Sequence, residues 1–521
     1  MIAPPRFSED GSIHSIDPRT WDVLETFPPL DGEAVTAAIA AARAAQIGWA
    51  ATPLKQRLAA VGKVLNRITE RGAELTEIIH REHGKSITEA MFSEVLGAAD
   101  VVRLHVKFDP QWLKPDKVAI DPLSYPGKKG RVEHRPRGIV VAIMPWNYPL
   151  ALPMRTIVPA LIAGNAVVFK PSEYALRTGR EIARLFDGLI PDGLLQVLLG
   201  GAAVGAALTS SPDVDAIAFV GSVATGKKVA SAAATNLVPV SLELGGKDAA
   251  IVCTDADLDR SAAGIAWGAF HNTGQNCAAI ERVYVEDLVY DAFLDKLKEA
   301  TLKLRHTGPG DDVEIGPMCN AGQLRIVEQQ LAQATAAGAQ VLVGGEATGE
   351  GWGFPPTILT DVPLDADVWA KETFGPLLPV RRIHSVYEAT DDINASPYGL
   401  SCSVWGKETG RAEAVARRCD VGMALVNNHA FTGSIPNSPW VGTKDSGYGV
   451  TGSSLAMKFL TRAQLVVVDK NKALEVWWFP LNGTALQMSR TVLASLVAPI
   501  GRRIALTIRL LGLLSKRWKG A

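Results

Sequence analysis

An α/β architecture with two successive, mostly parallel sheets is what this sequence predicts, and three observations predict it. Short apolar runs alternate with helical patterns from about residue 138 onward, as βαβ units require. The alternation pauses at the glycines of VSLELGGKD and then resumes as a second series. A long stretch ahead of both series carries helical periodicity without strand signals. The length, 521 residues, suits two to four domains with a large buried core.

In chain order, residues 33 to 120 read as helical; AVTAAIAAARAAQIGWA places apolar residues at three- and four-residue steps. PGKKGRVEHRPRG is polar and turn-rich and reads as a hairpin or crossover. GIVVAIMPWNYP is a strand and loop, NAVVFKPSE a strand ending in a polar turn, LLQVLLG a short strand. DAIAFVGSVATGKKVA is a strand, a Gly/Ser turn and a helix. The second series comprises AAIVC, RVYVE, AQVLVGG, PTILT, LPVRRI, CSVWG and MALVNN, and the junction between the series falls near 243 to 250.

Composition excludes several classes. Hydrophobic residues are 47 % and charged residues 21 %, as in soluble globular proteins, and the net charge of -1 gives no field to gather nucleic acid. The five cysteines are widely spaced, with no CxxC pair and no zinc pattern. That usage fits a reducing compartment, and the polar N-terminus lacks a signal-peptide pattern, so a cytoplasmic location is expected. The tail after 470 differs in kind. No acidic residue follows Glu475, and Arg490, Arg502, Arg503, Arg509, Lys516, Arg517 and Lys519 punctuate an apolar sequence. From Arg490 to the end the longest uncharged run, Thr491 to Gly501, falls well short of the ~20 residues that span a bilayer. On a helix, Ile500, Ile504, Ile508 and Leu511 share one face, which suits either a peripheral membrane surface or a docked helix.

The residues that carry chemistry form a set. Cys277 follows the turn-forming GQN and is a candidate nucleophile whose thiolate nearby backbone N–H groups can favour; the bland alternative is a buried small hydrophobe. Glu243 ends an apolar strand before two glycines that permit close approach by a ligand, and a carboxylate in a partly dry pocket can take a proton from water. Asn147, in PWNYP, can donate to an oxyanion, or can serve as an ordinary turn asparagine. Lys170, Ser172 and Glu173 in FKPSE and Gly221, Ser222 and Gly226 in FVGSVATGKK are candidates for holding a dinucleotide, although this strand-turn-helix does not carry the GxGxxG of the usual dinucleotide fold.

Taken in order, PWNYP, FKPSE, FVGS, ELGGK, GQNC and ETFGP resemble the aldehyde dehydrogenase superfamily from about residue 30 to 470. The resemblance implies a Rossmann-type NAD-binding domain (1–123 and 140–243), an α/β catalytic domain (244–457), a small β oligomerisation element (124–139 and 458–470) that makes dimers or tetramers, and a basic apolar tail (471–521). It implies Cys277 as nucleophile, Glu243 as general base and Asn147 as oxyanion donor. Lys170 and Glu173 would hold the adenosine ribose, and Ser222 would touch the pyrophosphate. Trp146 would line the cofactor cleft, and Glu372 would bind the nicotinamide ribose with Phe374 close by. A carboxylate at 173 favours NAD, with NADP possible. Because members that transfer to coenzyme A commonly lack the base, water is the expected acyl acceptor.

Two departures stand out: SPWVGTKDSGYG replaces the PFGG turn frequent in the family, and the tail exceeds the usual ends. For substrate, the tail with Trp477, Trp478 and Phe479 suggests a medium- or long-chain aldehyde. Succinate-semialdehyde members carry arginines where this chain has Arg155 and His271, which keeps a carboxylated semialdehyde as the alternative. A catalytically silent membrane-surface protein and a thiol esterase side activity are the remaining readings.

Overall fold

Why the strands form is plain from their composition: Ile139–Met144, Ala166–Pro171 and Ala216–Gly221 are near-continuous apolar runs, buried on both faces as parallel strands are. The computed structural model describes residues 3–121, 124–125, 127–306, 313–435, 437–472, 475, 477–479 and 481–518. Lys519, one of the tail's basic residues, lies outside them. The chain divides into two units, residues 1–114 with 134–463, and residues 115–133 with 464–521.

In the larger unit the first sheet contains β1 (Ile139–Met144), β2 (Ala166–Pro171), β3 (Leu195–Val197), β4 (Ala216–Gly221) and β5 (Val240–Leu244), in the order β3-β2-β1-β4-β5, all parallel. The order reverses between β1 and β4, the switch point at which doubly wound sheets bind ligands beyond their carboxyl ends. The second sheet contains β6 (Asp248–Val252), β7 (Ile280–Glu286), β8 (Gln340–Val343), β9 (Thr357–Thr360), β10 (Leu377–Ile383), β11 (Ser401–Trp405) and β12 (Met423–Val426). Its order is β8-β9-β10-β7-β6-β11-β12, with only the β8–β9 pair antiparallel. The junction near 243–250 is the step from β5 to β6.

The core follows the strand period. On β6, Ala250 and Val252 face one apolar cluster while Ala249 and Ile251 face another, because successive side chains point to opposite faces. Each fully buried Ile or Val there contributes about 1.5–3 kcal/mol. The first sheet shares one cluster with the N-terminal helices, through residues such as Val61, Ile79 and Val102.

The helical stretch read over 33–120 stops at Trp112 and is broken inside. Pro53 ends the helix Gly32–Ala51, and Gly84, at φ 79°, caps Gly72–His83 in the left-handed conformation that glycine adopts without strain. The polar stretch after it supplies two strands, Asp116–Val118 and Lys128–Pro136, in a three-stranded sheet with Thr461–Asp469. In the smaller unit the tail forms two helices, Gly483–Leu496 and Ile500–Trp518. Among the described residues no helix is long and apolar enough to cross a membrane.

Candidate active site

Topology gathers the sequence candidates from two opposing edges. The carboxyl end of β1 leads into Trp146 and Asn147, that of β2 carries Lys170, Ser172 and Glu173, that of β4 carries Gly221 and Ser222, and that of β5 carries Glu243. From the second sheet come residues ahead of strand beginnings: Cys277 precedes β7, and Glu372 and Phe374 precede β10.

The segment before Cys277 is strained. Asn272, Thr273 and Gly274 all have positive φ, at 52°, 59° and 69°, and for the two non-glycines this costs about 1–3 kcal/mol each. Hydrogen bonds over-determine the turn. The Asn272 side chain donates to the carbonyls of Asn147 (3.0 Å) and Gln275 (2.9 Å), and its N–H donates to Glu89 (2.6 Å). Thr273 donates to Gly316 O (2.9 Å), and Gln275 accepts from the Cys319 N–H (2.9 Å). Asn272 thereby ties the Asn147 main chain to the nucleophile loop, and the Asn147 side-chain oxygen is buried without a hydrogen-bond partner.

Cys277 is half-buried, and its Sγ lies 3.4 Å from Glu243 Oε1. The other four cysteines are buried. Burial, and then the Glu243 and Asp248 charges, push the Cys277 thiol well above its ordinary range. The expectation that neighbouring N–H groups lower it is corrected: in this state a dry wall and two carboxylates outweigh them. Burial also raises the Glu243 carboxyl, against opposing effects from Arg155, Cys277 and Trp440. Raising it makes Glu243 a stronger proton acceptor, which suits a group beside a thiol that must be deprotonated. Glu243 Oε1 also accepts from the Trp440 indole N–H at 2.5 Å, while Oε2 is buried and unpartnered.

On the other side, Ser222 caps the helix Val223–Ala234, its Oγ accepting from Thr225 N–H at 3.3 Å, so the free N–H groups of the first turn lie at the carboxyl end of β4. A side chain at Gly226 would collide with Leu244; its absence lets that helix sit close on β5. The Lys170 ammonium is buried, and burial lowers its proton affinity; its hydrogen-bond partner is Pro171 O at 3.0 Å. Ser172 donates to Glu173 at 3.5 Å. Trp146 meets Phe374 edge-on at 5.4 Å and Tyr174 at 6.4 Å. Glu372 rests against Gly245 and accepts from Gly246 N–H at 3.2 Å; burial first, then Glu281, push its carboxyl up to about 8. A buried ammonium short of acceptors, an uncovered helix start and an aromatic wall fit a nicotinamide dinucleotide.

Beyond Cys277 a cavity of about 160 Å³ is lined mainly by apolar groups, among them Phe92, Val101, Leu152, Trp267, Phe431 and Trp440. Arg155 reaches it from the helix Ala151–Ala163. It donates to Gly433 O, lies 5.7 Å from the Trp440 ring, and keeps its Nη2 buried without a partner. His271 stacks on Trp267 at 4.5 Å. Its Nδ1 donates to Trp267 O (2.7 Å) and its Nε2 accepts from the Asn276 amide (2.9 Å). Burial drives this ring down to about 4, so at neutral pH it is uncharged. An uncharged ring brings no charge to a carboxylate; His271 lines the cavity and holds the Asn276 amide beside the nucleophile.

Sequence reasoning missed Trp440 as a partner of Glu243, and missed Lys247 and Glu281. The buried Lys247–Glu281 pair (2.6 Å) positions the Glu372 loop, because Glu281 also accepts from the N–H groups of Thr373 (2.7 Å) and Phe374 (2.8 Å). Charges inside otherwise apolar runs, at ELGGK and AAIERVYV, were the available signal.

With this geometry in view, comparison defines the class: the chain belongs to the aldehyde dehydrogenase family, whose model matches residues 7–466. It is 34 % identical over 480 residues to 4,4'-diapolycopene aldehyde oxidase of Methylomonas sp., covering 91 % of this chain and 89 % of that protein. It is 35 % identical over 458 residues to the NADP(+) succinate-semialdehyde dehydrogenase of Escherichia coli (strain K12), covering 86 % and 92 %. The crystal structure of lactaldehyde dehydrogenase from Escherichia coli superposes with a TM-score of 0.85 at 33 % identity, covering 89 % of this chain and 97 % of that one. The protein is thus an NAD(P)-dependent oxidoreductase acting on aldehydes. Three relatives at similar identity carry three different substrate names, so family membership does not choose the substrate.

Proposed function

We propose that this enzyme oxidises an apolar aldehyde to the carboxylic acid through a thioester on Cys277, with water as the acyl acceptor. The observation that carries the reading is the 3.4 Å approach of Cys277 Sγ to Glu243 Oε1 at the head of the cavity. Sγ adds to the carbonyl carbon as its proton passes to Glu243. The Asn147 amide and the Cys277 backbone N–H are assigned to hold the resulting alkoxide. Collapse of the alkoxide expels a hydride and leaves the thioester. Nicotinamide dinucleotide, when bound, supplies the acceptor for that hydride. Glu243, having released its first proton to solvent, takes another from water; the water oxygen attacks the thioester, the acid departs and the thiol is restored.

Lys170, Ser172, Glu173, Gly221, Ser222 and Gly226 are assigned to the adenosine and pyrophosphate end, and Trp146, Glu372 and Phe374 to the nicotinamide end. The Glu173 carboxylate would repel a 2′-phosphate, which supports NAD over NADP. The apolar lining supports an apolar aldehyde, and neutral His271 weakens the semialdehyde reading. One observation favours that alternative: the unpartnered Arg155 Nη2 at the cavity wall. A panel read as NADH or NADPH absorbance separates them. Hexanal is expected to show a higher kcat/KM than succinate semialdehyde, with NAD outperforming NADP by at least about tenfold, and without added coenzyme A. Arg155→Ala is expected to leave the order of the two aldehydes unchanged. A preference for succinate semialdehyde that collapses in Arg155→Ala would establish the second reading.

The exposed edge strand Thr461–Asp469, with Leu465, Val467 and Val468 uncovered, supports pairing with a second copy in a homodimer or tetramer. The tail supports peripheral contact with an anionic lipid surface. Ile500, Ile504, Ile508 and Leu511 are between 59 and 79 % exposed, and no acidic residue accompanies the basic ones there. The full chain is expected to co-sediment with phosphatidylglycerol vesicles, less so with phosphatidylcholine or in high salt, and Ile504→Asp with Ile508→Asp is expected to release it while NAD turnover persists. Failure to sediment, with an oligomer that these substitutions dissociate, would give the face to a second copy instead.

A further inference from the structure

The loop in which this sequence departs from the family's frequent PFGG turn returns to the centre of the site. Trp440 lies in SPWVGTK, and a two-residue antiparallel pairing of Trp440–Val441 with Val450–Thr451 fixes its main chain. Its buried ring packs closely over Gly433 and lies 5.7 Å from the Arg155 guanidinium. Its indole N–H points at Glu243 Oε1 at 2.5 Å, the same oxygen that faces Cys277 Sγ at 3.4 Å. Among the described residues no other hydrogen bond reaches this carboxylate, and its second oxygen is buried without a partner.

We propose that Trp440 is a positioning residue for the base: its indole N–H fixes the Glu243 carboxylate in the orientation that faces the Cys277 sulfur. The inference rests on the reading of Glu243 as the base. A glutamate side chain has three rotatable bonds, and a buried carboxylate held by one thiol has little else to define its pose. An indole on a rigid two-strand loop supplies one directional donor and has no acceptor of its own, so it can bind only an oxygen. Phenylalanine at this position would keep an aromatic ring at the cavity wall but would leave the carboxylate to rotate. The charged and titratable groups around Glu243 are few. Arg155 faces it from the helix Ala151–Ala163 and Cys277 from the nucleophile loop, with Tyr148 on the same cavity wall. Asp248 and Glu372 act on Cys277 from farther off, and His271 is neutral.

A donor to a carboxylate stabilises its charged form, so removing the N–H raises the proton affinity of Glu243 and moves the acid limb of activity upward. Trp440→Phe is expected to shift that limb by about one pH unit, a roughly tenfold loss of kcat on the acid side, with KM for hexanal little changed. The rate of Cys277 alkylation by iodoacetamide, which reads thiolate supply without turnover, is expected to shift in parallel. Trp440→His, which keeps a ring N–H, is expected to recover part of the shift; its comparison with the Phe variant holds even if both lose stability. In a Glu243→Gln background the Phe substitution is expected to add no further shift in alkylation. An acid limb unmoved in both readouts, with only KM altered, would make Trp440 a wall and overturn the proposal. A Glu243→Gln variant that itself keeps normal turnover would instead overturn the reading of the base.

Discussion

Cys277→Ser is expected to lose aldehyde oxidation by on the order of 10³-fold or more, with its thermal unfolding close to that of the parent enzyme. The two side chains differ little in size, and the site is half-buried and is held by the Asn272, Thr273 and Gln275 hydrogen bonds, none of which uses the sulfur. The chemistry differs greatly. A thiol already raised by burial and by Glu243 can still pass its proton to a carboxylate that is itself raised. A serine hydroxyl lies several units higher again and is a poor leaving group when water attacks. NADH absorbance with an aldehyde panel checks this. Turnover that survives in the serine variant would place the nucleophile elsewhere. The same variant separates turnover from vesicle binding, since the tail after residue 470 contains no cysteine.

Glu243→Gln is expected to lower steady-state turnover by about 10²–10⁴-fold, the usual worth of a positioned proton acceptor. The larger part of the loss is expected in release of the acid. A thiol can reach its thiolate unaided at sufficiently alkaline pH, whereas water, a far weaker acid, needs a base beside it to attack. Alkaline pH is therefore expected to restore acylation in the variant more than it restores turnover. In the parent enzyme the sign follows from the raised carboxyl: activity falls as pH drops through the Glu243 value, which lies above the ordinary glutamate range. That limb is expected to vanish in the Gln variant. A pH profile that keeps its acid limb after the substitution would assign the limb to another group.

Much of this was legible before the fold was known. The apolar alternation located the strands, and the glycines after Glu243 marked the passage from one sheet to the next. The candidates of the first sheet stand at strand carboxyl ends, which a parallel sheet places on one side, and Cys277, Glu372 and Phe374 stand ahead of strand beginnings in the second. What stayed hidden depends on contacts between residues far apart in sequence. Trp440 is separated from Glu243 by the whole second sheet, and only the altered turn around it stood out. The Lys247–Glu281 clamp looked like two isolated charges until β6 and β7 paired. The neutrality of His271 and the high-lying thiol of Cys277 also escaped, since burial, which sets both, is not a property of a short motif. The spacing of Ile500, Ile504, Ile508 and Leu511 predicts one apolar helical face, and that face is exposed on Ile500–Trp518.

The account stands or falls on where the acyl group rests between hydride loss and hydrolysis. Incubating Glu243→Gln with hexanal and NAD, then mapping peptides by mass spectrometry, locates it. The expected result is a hexanoyl adduct on Cys277, accompanied by NADH in equal amount. NADH formed with no adduct on any cysteine, or an adduct on Cys253, Cys319, Cys402 or Cys419 instead, would contradict it.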